Sequence, residues 1–213
     1  MTKDSSQPHP RPRRKRGSLT RELILDAAEE IARAGFDALS VRSVATRLEA
    51  APMALYNHFA DKDALVDALL DRVLGRFEPP ASTGDWPADL KAFARAHRKV
   101  LTDHPWAVSP LFSHPTPGMS AVHVGEHALA IIRQGDVSND EAVAIFSGVI
   151  ALNYGWSSFT AARRLNPAAG EQVAAAMAQL PREAFPHTAA VAPEMVAYGS
   201  DEHYELVLGR LLG

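Results

Sequence analysis

The sequence predicts an all-α fold, in which an N-terminal three-helix unit containing a helix-turn-helix precedes a larger C-terminal helical domain. Apolar residues recur at three- and four-residue spacings through most of the chain after Thr20, as on one face of a helix. Residues 20–74 show none of the alternation that is typical of a β-strand. The composition, 46% apolar and 22% charged with abundant Ala, fits a helical soluble protein.

The three N-terminal helices are predicted from their end signals. Thr20 can cap the first helix and Gly35 marks its end, and Ser40 can cap a second helix that runs to about Arg47. Pro52 suits the first turn of a third helix, where its missing N–H costs little. The second helix is expected to bury Val44, Ala45 and Leu48.

A fourth helix, over about residues 61–75, is predicted with Asp61 as its cap and a broad apolar stripe from Leu65 to Leu74. The Gly- and Pro-containing segment Gly75–Pro87 is predicted as a break in helical structure and a domain boundary. A helical face follows over residues 90–101, and a short piece bracketed by prolines spans about residues 106–112.

Three further elements complete the predicted C-terminal domain. One helix is expected over about residues 120–134, and the most apolar helix of the chain over about residues 139–164. A loop is then predicted, because Pro181, Pro186 and Pro193 interrupt the pattern. A last helix is expected from about Asp201.

The predicted domain organisation has three parts: a disordered basic arm at residues 1–17, a helix-turn-helix domain at residues 18–66, and a helical domain at residues 76–213. Residues 1–20 carry six basic residues and one acidic residue, so their net charge is +5, and the rest of the chain totals −8. A basic arm on an acidic body favours phosphate binding at one end. The alternative is a solvated, disordered tail without a partner.

The composition also excludes several classes of protein. The chain has no Cys, which excludes disulfides, thiolate metal sites and a Cys nucleophile. No uninterrupted apolar run approaches the ~20 residues of a membrane span, and the N-terminus lacks the apolar core of a signal peptide. We therefore expect a cytoplasmic, nucleoid-associated protein with no membrane partner.

Residues 40–62 are the most informative stretch of the chain, because two short helical patterns meet there at a tight break around residues 49–51. Helices of one or two turns bury too little apolar surface to fold alone. This arrangement favours a helix-turn-helix that enters the major groove of DNA.

These residues resemble the tetracycline-repressor (TetR) family of one-component transcriptional regulators. The similarity is dense over residues 20–74, in Leu39–Ala45, in Leu55–Phe59 and in Lys62–Leu65. The C-terminal region is similar more loosely to the effector domain of the tetracycline repressor, through Trp86, residues 103–106, residues 139–142 and residues 204–212. One position departs from the family pattern, since Glu49 stands where family members commonly have Gly in the turn.

The resemblance implies that the third helix enters the major groove and that the start of the second helix also grips DNA. The residues at the corresponding positions are Arg42, Ser43, Pro52, Met53, Ala54, Tyr56, Asn57, His58 and Lys62. Asn57 and His58 can hydrogen-bond base edges or phosphates, Met53 can meet a thymine methyl group, and Tyr56 and Lys62 are expected at phosphates.

Alternatives to DNA contact exist at several of these positions. Leu55 and Phe59 are large, apolar and four residues apart, which indicates core positions. His58 could be an ordinary surface histidine. Arg42 could pair with an acid of the first helix, although such surface pairs contribute only ~0–1 kcal/mol, whereas a bidentate guanine contact discriminates by ~1–3 kcal/mol.

The resemblance further implies an effector pocket and a dimer interface in the C-terminal domain. The side chains of suitable type for the pocket are Phe93, His97, Trp106, Phe112, His114, His127, Asn153 and Trp156, although each aromatic could instead be core. Tetracycline-binding members have a metal-coordinating His where our alignment puts residues 108–110, which contain none. This difference argues against tetracycline as the effector.

Two segments, about residues 139–164 and 201–212, have more apolar positions than one protein face needs, and they match the helices that pair across the family's homodimer. A dimer would read a pseudo-palindromic operator. The function implied is a ligand-responsive transcriptional regulator, a repressor released from its double-stranded DNA operator by a small molecule.

The alternatives to a DNA-binding regulator are an enzyme and a helical adaptor. The sequence has no Gly-rich phosphate loop, no His-Glu-x-x-His and no Gly-x-Ser-x-Gly, so we expect no enzyme, no catalytic residue and no cofactor. His123 and His127, four residues apart, could share a metal, but no third ligand is evident from spacing and no metal is expected. An adaptor would leave the basic arm and residues 55–62 without a role.

Overall fold

A computed structural model describes residues 19–114 and 118–212. The chain divides into two compact units, an N-terminal unit (Met1–Leu65) and a C-terminal unit (Val66–Gly213). The described residues form eleven α-helices and no strand, which confirms the predicted all-α class. The predicted basic arm, residues 1–17, lies outside the described residues.

Three helices and the start of a fourth make up the described part of the N-terminal unit: α1 (Arg21–Ala34), α2 (Val41–Arg47), α3 (Pro52–Leu55) and α4 (Lys62–Leu74). The predicted caps are in place, because the Thr20 side chain accepts from the N–H of Leu23 at 3.2 Å and Asp61 accepts from Ala64 at 2.8 Å. The core consists of Ile24, Ala28, Leu39, Val44, Ala45, Leu55, Phe59 and Leu65. Leu48, which we expected to be buried, is only half-buried at the end of α2.

The C-terminal unit is built around α5 (Trp86–Asp103) and α8 (Asn139–Leu165), which pack against each other. The other helices are α6 (Pro105–Ser113), α7 (Met119–Ile132), α9 (Ala169–Ala178), α10 (Pro186–Ala190) and α11 (Asp201–Leu211). Helix α8 also contacts α6, α7 and α11. The core lies between α5, α7, α8 and α11 and includes Leu90, Phe93, Val124, Ile132, Val149, Tyr204 and Leu208.

Two predicted breaks are partly helical in the structure. The break expected over Gly75–Pro87 ends earlier, because Asp85 caps α5 and Pro87 occupies its first turn, where a proline N–H is not needed. The loop expected before Asp201 contains α9, α10 and a 3-10 turn at Pro193–Ala197. The Ala-rich segment favours α9, and Pro186 and Pro193 begin helical turns rather than interrupt them.

Helix α8 is long and apolar enough to cross a membrane by length and composition, with a mean hydropathy of 1.3 over its best window. We considered only unbroken apolar runs in the sequence and therefore predicted no membrane span. Helix α8 was missed because polar residues such as Asn153 and Ser157 interrupt its apolar sequence. A single helix of this kind is weak evidence for a membrane span, since core helices of soluble proteins pass the same test. Only 28% of the window is buried.

Candidate functional site

The turn between α2 and α3 contains a residue in left-handed backbone conformation, Glu49, with φ of 51°. No other described residue except glycine has a positive φ. The turn is closed by a hydrogen bond of 2.9 Å from the N–H of Ala50 to the carbonyl of Ala45. A side chain in this conformation is disfavoured, which explains the Gly that the family commonly places there. The sequence therefore identified the one strained backbone position of the described N-terminal unit.

Helix α3 has a buried side and an exposed side. Leu55 and Phe59 are 2% and 4% exposed, which confirms that they are core residues. Met53 is 72% exposed and Tyr56 is 46% exposed. Pro52 and Asn57 are also exposed, whereas Ala54 and His58 are half-buried. Four of the residues predicted to contact DNA from α3 and the turn after it are therefore exposed to solvent.

Arg21, at the start of α1, contacts the segment that follows α3. Its Nη1 donates to the carbonyl of His58 at 3.1 Å, and its guanidinium lies 4.3 Å from the centre of the Phe59 ring. A cation above an aromatic face is attracted by the ring quadrupole. No local pattern in the sequence connects Arg21 to His58, which lies 37 positions later in the chain.

Ser43 is half-buried and its hydroxyl is engaged in capping α2. The hydroxyl accepts from the N–H of Ser40 at 2.9 Å and lies within donor distance of the carbonyl of Ala38, at 2.8 Å. In return, the Ser40 side chain accepts from the N–H of Ser43 at 3.0 Å. The structure therefore gives Ser43 a positioning role at the N-terminus of α2, beside Arg42.

Arg42 is exposed and forms no ion pair with any described residue. The alternative for Arg42 was a pair with an acid of the first helix, and one of those acids, Glu30, accepts instead from Nε of Arg47 at 2.7 Å. Lys62 is exposed at the first turn of α4 and is likewise free of an ion pair among the described residues. Both cations remain available to an external anion.

In the C-terminal unit, the amide of Asn153 joins three helices. Its nitrogen donates to the carbonyl of Ala94 at 2.9 Å and lies 3.0 Å from Nδ1 of His97, both on α5. Its oxygen accepts from the hydroxyl of Tyr204, on α11, at 2.8 Å. Asn153 is fully buried and His97 is 1% exposed. Because Nδ1 of His97 accepts this N–H, the neutral imidazole carries its proton on Nε2, and burial lowers the pKa of His97 to about 4.

Aromatic rings continue from His97 in both directions. Phe93 stacks on His97 with 5.9 Å between ring centres, and Phe77 meets Phe93 edge to face at 5.3 Å. His127 lies 5.8 Å from Phe77. On the other side, Tyr154 lies 6.0 Å from His97 and 5.3 Å from Phe112. Burial raises the pKa of the Tyr154 hydroxyl to about 12, so it is neutral at physiological pH.

The predicted effector residues are therefore only partly brought together. Phe93, His97, Phe112, His127 and Asn153 form one connected cluster, which we call the ring cluster together with Phe77 and Tyr154.

Three predicted effector residues lie outside the ring cluster contacts. His114 pairs with Asp67 through a Nδ1–Oδ1 distance of 2.5 Å. Trp156 donates its indole N–H to the carbonyl of Ser200 at 2.8 Å and packs against Tyr204. Trp106 is half-buried in α6. The side chains of His114 and Trp156 thus form hydrogen bonds within the C-terminal unit that stabilise its fold.

The buried polar atoms of this unit without a hydrogen-bond partner among the described residues include Nε of Arg98, Nε2 of His127 and Oγ of Ser157. Ser157 is 1% exposed and lies one helical turn after Asn153 on the buried side of α8. Sequence reasoning missed Ser157, Phe77, Tyr154 and Tyr204 as site residues. The signal for Ser157 was its spacing of four residues from Asn153 on an otherwise apolar helix.

Two further features of the described residues concern metal and ligand binding. No group of three or more His, Asp or Glu side chains is arranged to hold a metal ion, and His123 is exposed while His127 is half-buried. An open groove of about 280 Å³ lies between α9, α10 and the 3-10 turn, lined by Ala174, Ala175, Ala178, Arg182, Ala189, Ala192 and Pro193. None of the predicted effector residues lines this groove.

Two protein families match the chain. The family of bacterial regulatory proteins called tetR matches residues 23–69, and the tetracyclin repressor-like C-terminal domain matches residues 78–213. An HTH-type transcriptional regulator of Saccharopolyspora erythraea is 35% identical over 138 residues, which cover 64% of this chain and 58% of that protein. An HTH-type transcriptional repressor of Mycobacterium tuberculosis is 30% identical over 150 residues, covering 67% of this chain and 58% of that protein. The chain thus matches less than two thirds of the length of these curated relatives.

Solved structures give the same result for the fold. ActR of Streptomyces coelicolor without ligand superposes with a TM-score of 0.82 at 24% identity, covering 91% of this chain and 93% of that one. The same protein in complex with actinorhodin gives a TM-score of 0.82 at 25% identity, with 92% and 95% covered. The helix-turn-helix, the helical C-terminal unit and the two family matches together show that the chain belongs to the TetR family of bacterial transcriptional regulators.

Proposed function

We propose that this chain is a ligand-responsive repressor that binds a pseudo-palindromic operator as a homodimer and is released by a small-molecule effector. The observation that carries the proposal is the exposed side of α3, where Met53 and Tyr56 are open to solvent although both are large. On the same unit, Arg42 and Lys62 have no ion-pair partner among the described residues. Exposed cations, an aromatic hydroxyl and an amide fit the chemistry of a DNA surface.

The roles in this proposal divide between bases and backbone. Met53 and Asn57 contact base edges from α3 and the turn that follows it, while Pro52 and Ala54 allow close approach to the groove wall. Tyr56, Lys62 and Arg42 hold phosphates or guanine edges, and His58 contributes an imidazole at the rim. Ser43 acts by fixing the N-terminus of α2, because its hydroxyl is already bonded within the cap.

The basic arm supplies charge that the rest of the N-terminal unit lacks. Residues 19–65 carry five basic and eight acidic residues, a net charge of −3, whereas residues 1–20 carry +5. An acidic helical unit by itself is repelled by DNA at long range. We therefore assign the arm, residues 1–17, to phosphate binding beside the helix-turn-helix.

The homodimer is proposed to form through α8 and α11. Both helices expose large apolar side chains, namely Val143, Phe159, Leu165, Leu206, Val207 and Leu211. Exposed apolar residues concentrated on adjacent helices indicate an interface. A two-fold symmetric pairing of these helices would present two copies of α3 to successive half-sites of one operator.

The effector is proposed to bind the C-terminal unit at the ring cluster. Related chains are named repressors, and the structural neighbour ActR was solved in complex with actinorhodin. A ligand lowers operator affinity only to the extent that it binds the DNA-incompetent arrangement more tightly than the competent one. We further propose that the protein acts in the cytoplasm without enzymatic activity, as is typical of transcription factors of this family.

The proposal is tested by selection of DNA. Purified full-length protein is incubated with sheared genomic DNA of its source organism, and the retained fragments are sequenced. The expected result is a shared palindromic motif, bound with a stoichiometry of two chains for each pair of half-sites in a titration followed by light scattering. Retention of fragments with no shared motif, or binding by one chain to one half-site, would overturn the proposal.

A further inference from the structure

Helix α11 has a buried side and an exposed apolar side. Tyr204 and Leu208 are its buried residues, whereas Leu206, Val207 and Leu211 are exposed. A helix of 11 residues is marginal by itself, so most of its stability comes from contacts with the rest of the protein. Because few apolar side chains of α11 are buried, its polar contacts have a large share in deciding where the helix lies.

Two arginines of α5 bind two acids of α11. Arg95 binds Glu205 with both arms of its guanidinium: Nε donates to Oε1 at 3.0 Å and Nη2 donates to Oε2 at 2.7 Å. These bonds favour the charged carboxylate and lower the pKa of Glu205. One turn along α5, Nη2 of Arg98 donates to Oδ1 of Asp201 at 2.5 Å. The arginines are three residues apart and the acids four, so both pairs join the same two helix faces.

Arg98 makes contacts on both α8 and α11. Its side chain is only 12% exposed, and its guanidinium lies 4.2 Å from the centre of the Tyr204 ring. Its Nη2 also donates to Oγ1 of Thr160, on α8, at 2.9 Å. The hydroxyl of Tyr204 in turn donates to Asn153 of α8. Arg98 therefore fixes α11 against two other helices.

The remaining polar contacts of α11 also lie near its start. The Ser200 side chain caps the helix by accepting from the N–H of His203 at 3.3 Å, and the Ser200 carbonyl accepts from the indole of Trp156. The exposed apolar residues, by contrast, all follow residue 205. Polar bonds thus anchor the first half of α11, and its second half carries the apolar surface.

We propose that Arg98, assisted by Arg95, is a positioning residue for the homodimer, because it holds α11 where the exposed apolar side of that helix meets the partner chain. This inference rests on the proposed function, in which α8 and α11 form the interface. It goes further by making assembly depend on ion pairs within each chain, although the exposed surface of α11 is apolar.

Salt separates these two contributions. Dissolved ions screen an ion pair, whereas the burial of apolar surface is not an electrostatic interaction and is not screened. Both subunits need α11 in place, so the apparent dissociation constant of the dimer varies with the inverse square of the correctly placed fraction. Halving that fraction raises the apparent constant about fourfold.

The first experiment measures the dimer dissociation constant of the full-length protein by sedimentation. For wild type we expect the constant to rise by about 3- to 10-fold between about 50 and 500 mM NaCl. Asp201→Asn removes the charge that Arg98 binds, at a residue that is 74% exposed and therefore tolerant of substitution. This variant should dimerise several-fold more weakly at low salt and respond less to added salt.

Glu202→Gln is the matched control. Glu202 is an exposed acid in the same first turn of α11, and it forms no ion pair with any described residue. Its substitution removes the same charge from the same end of the helix, including the interaction with the helix dipole, but no arginine contact. We expect it to dimerise like wild type. Equal dissociation constants for Asp201→Asn and Glu202→Gln at both salt concentrations would overturn the proposal.

A second variant tests the geometry of the pair. Nε of Arg98 is buried without a hydrogen-bond partner among the described residues, whereas Nε of Arg95 binds Glu205. Asp201→Glu lengthens the acid by one methylene, which allows a two-armed contact like that of Arg95. We expect its dimer to be at least as tight as that of wild type. An Asp201→Glu dimer no tighter than that of Asp201→Asn would contradict the assignment.

Unfolding and DNA binding are followed on the same samples. Chemical denaturation verifies that each variant is folded under the conditions of sedimentation. A wild type that dimerises and binds selected DNA, with an equally tight Asp201→Asn dimer, would leave the proposed function intact and refute this inference alone. A wild type that stays monomeric at every concentration, with and without selected DNA, would refute the proposed homodimer and the inference together.

Discussion

The guanidinium of Arg21 lies 4.3 Å above the ring of Phe59, which connects the first turn of α1 to the segment that follows the proposed recognition helix. The same guanidinium donates to the carbonyl of His58 at 3.1 Å. Arg21 is exposed, and its guanidinium is already engaged by the segment that follows α3. Its effect on DNA binding would therefore act through the position of Tyr56, Asn57 and His58.

Loss of this contact should weaken both folding and DNA binding. For Arg21→Ala we expect the free energy of unfolding to fall by about 0.5–1.5 kcal/mol, because a cation–π contact and a hydrogen bond are removed. Operator affinity should fall several-fold. Chemical denaturation and fluorescence anisotropy with selected DNA measure the two effects.

Arg21→Lys is the matched control for charge. Lysine keeps the positive charge but lacks the planar fork that stacks on the ring while bonding the carbonyl. We expect its affinity for DNA to lie between those of wild type and Arg21→Ala. Full wild-type affinity in Arg21→Lys would show that charge alone, and not the position of the segment, is what Arg21 contributes.

Tyr56→Ala should lower operator affinity by about fivefold or more and leave the free energy of unfolding nearly unchanged. The side chain is 46% exposed, so little burial is lost, whereas a lost phosphate or base contact costs about 1–2 kcal/mol. Tyr198→Ala provides a control of similar exposure, 49%, in the C-terminal unit. Equal affinities in wild type and Tyr56→Ala would remove this face of α3 from the DNA contact.

Removal of residues 1–17 should reduce the salt dependence of operator binding. Each phosphate contact that is lost lowers the slope of log affinity against log salt concentration by about 0.9. The arm carries six basic residues, so the change in slope should be large enough to measure by fluorescence anisotropy between about 50 and 200 mM salt. A second variant with all six basic residues replaced by Gln separates charge from length. An unchanged slope in both would show that the arm does not touch phosphates.

Asp89 should make the C-terminal unit sensitive to acid. Its carboxylate accepts from the Ser82 hydroxyl at 2.6 Å and the Thr83 hydroxyl at 2.7 Å, and these and further bonds from backbone N–H groups lower its pKa to about 2. A lowered pKa means stabilisation that is present above pH ~3.8 and is lost as pH falls toward 2. Wild type should therefore exceed Asp89→Asn in unfolding free energy at pH 6, and the difference should shrink between pH 4 and 2. A difference that stays constant with pH would contradict this account.

Local signals predicted most of the N-terminal unit. Thr20 and Gly35 gave the ends of α1, Ser40 gave the start of α2, and the spacing of Leu55 and Phe59 gave the buried side of α3. Each of these depends on residues within one or two helical turns. The position of Glu49 in the turn was found from the family resemblance, because family members commonly have Gly there.

The contacts of the candidate sites could not be predicted, because they join residues far apart in the chain. Arg21 meets His58, and Asn153 meets Ala94 and Tyr204, without any local pattern that specifies those partners. Trp156 illustrates the same limit. Its side chain is of a type that suits a pocket, but its indole N–H donates to Ser200 instead. The intervening segment contains α9 and α10, which we predicted as a loop because of its prolines.

The amide of Asn153 sets the register in which three helices can pack. Both its N–H groups point to acceptors on α5 and its oxygen receives the Tyr204 hydroxyl of α11. Sliding α8 by a single turn along α5 would leave this amide buried without partners, at a cost of several kcal/mol. Apolar side chains alone would tolerate such a shift far better. The C-terminal unit is thereby restricted to distinct packing arrangements, which suits the two-position response to an effector that we propose.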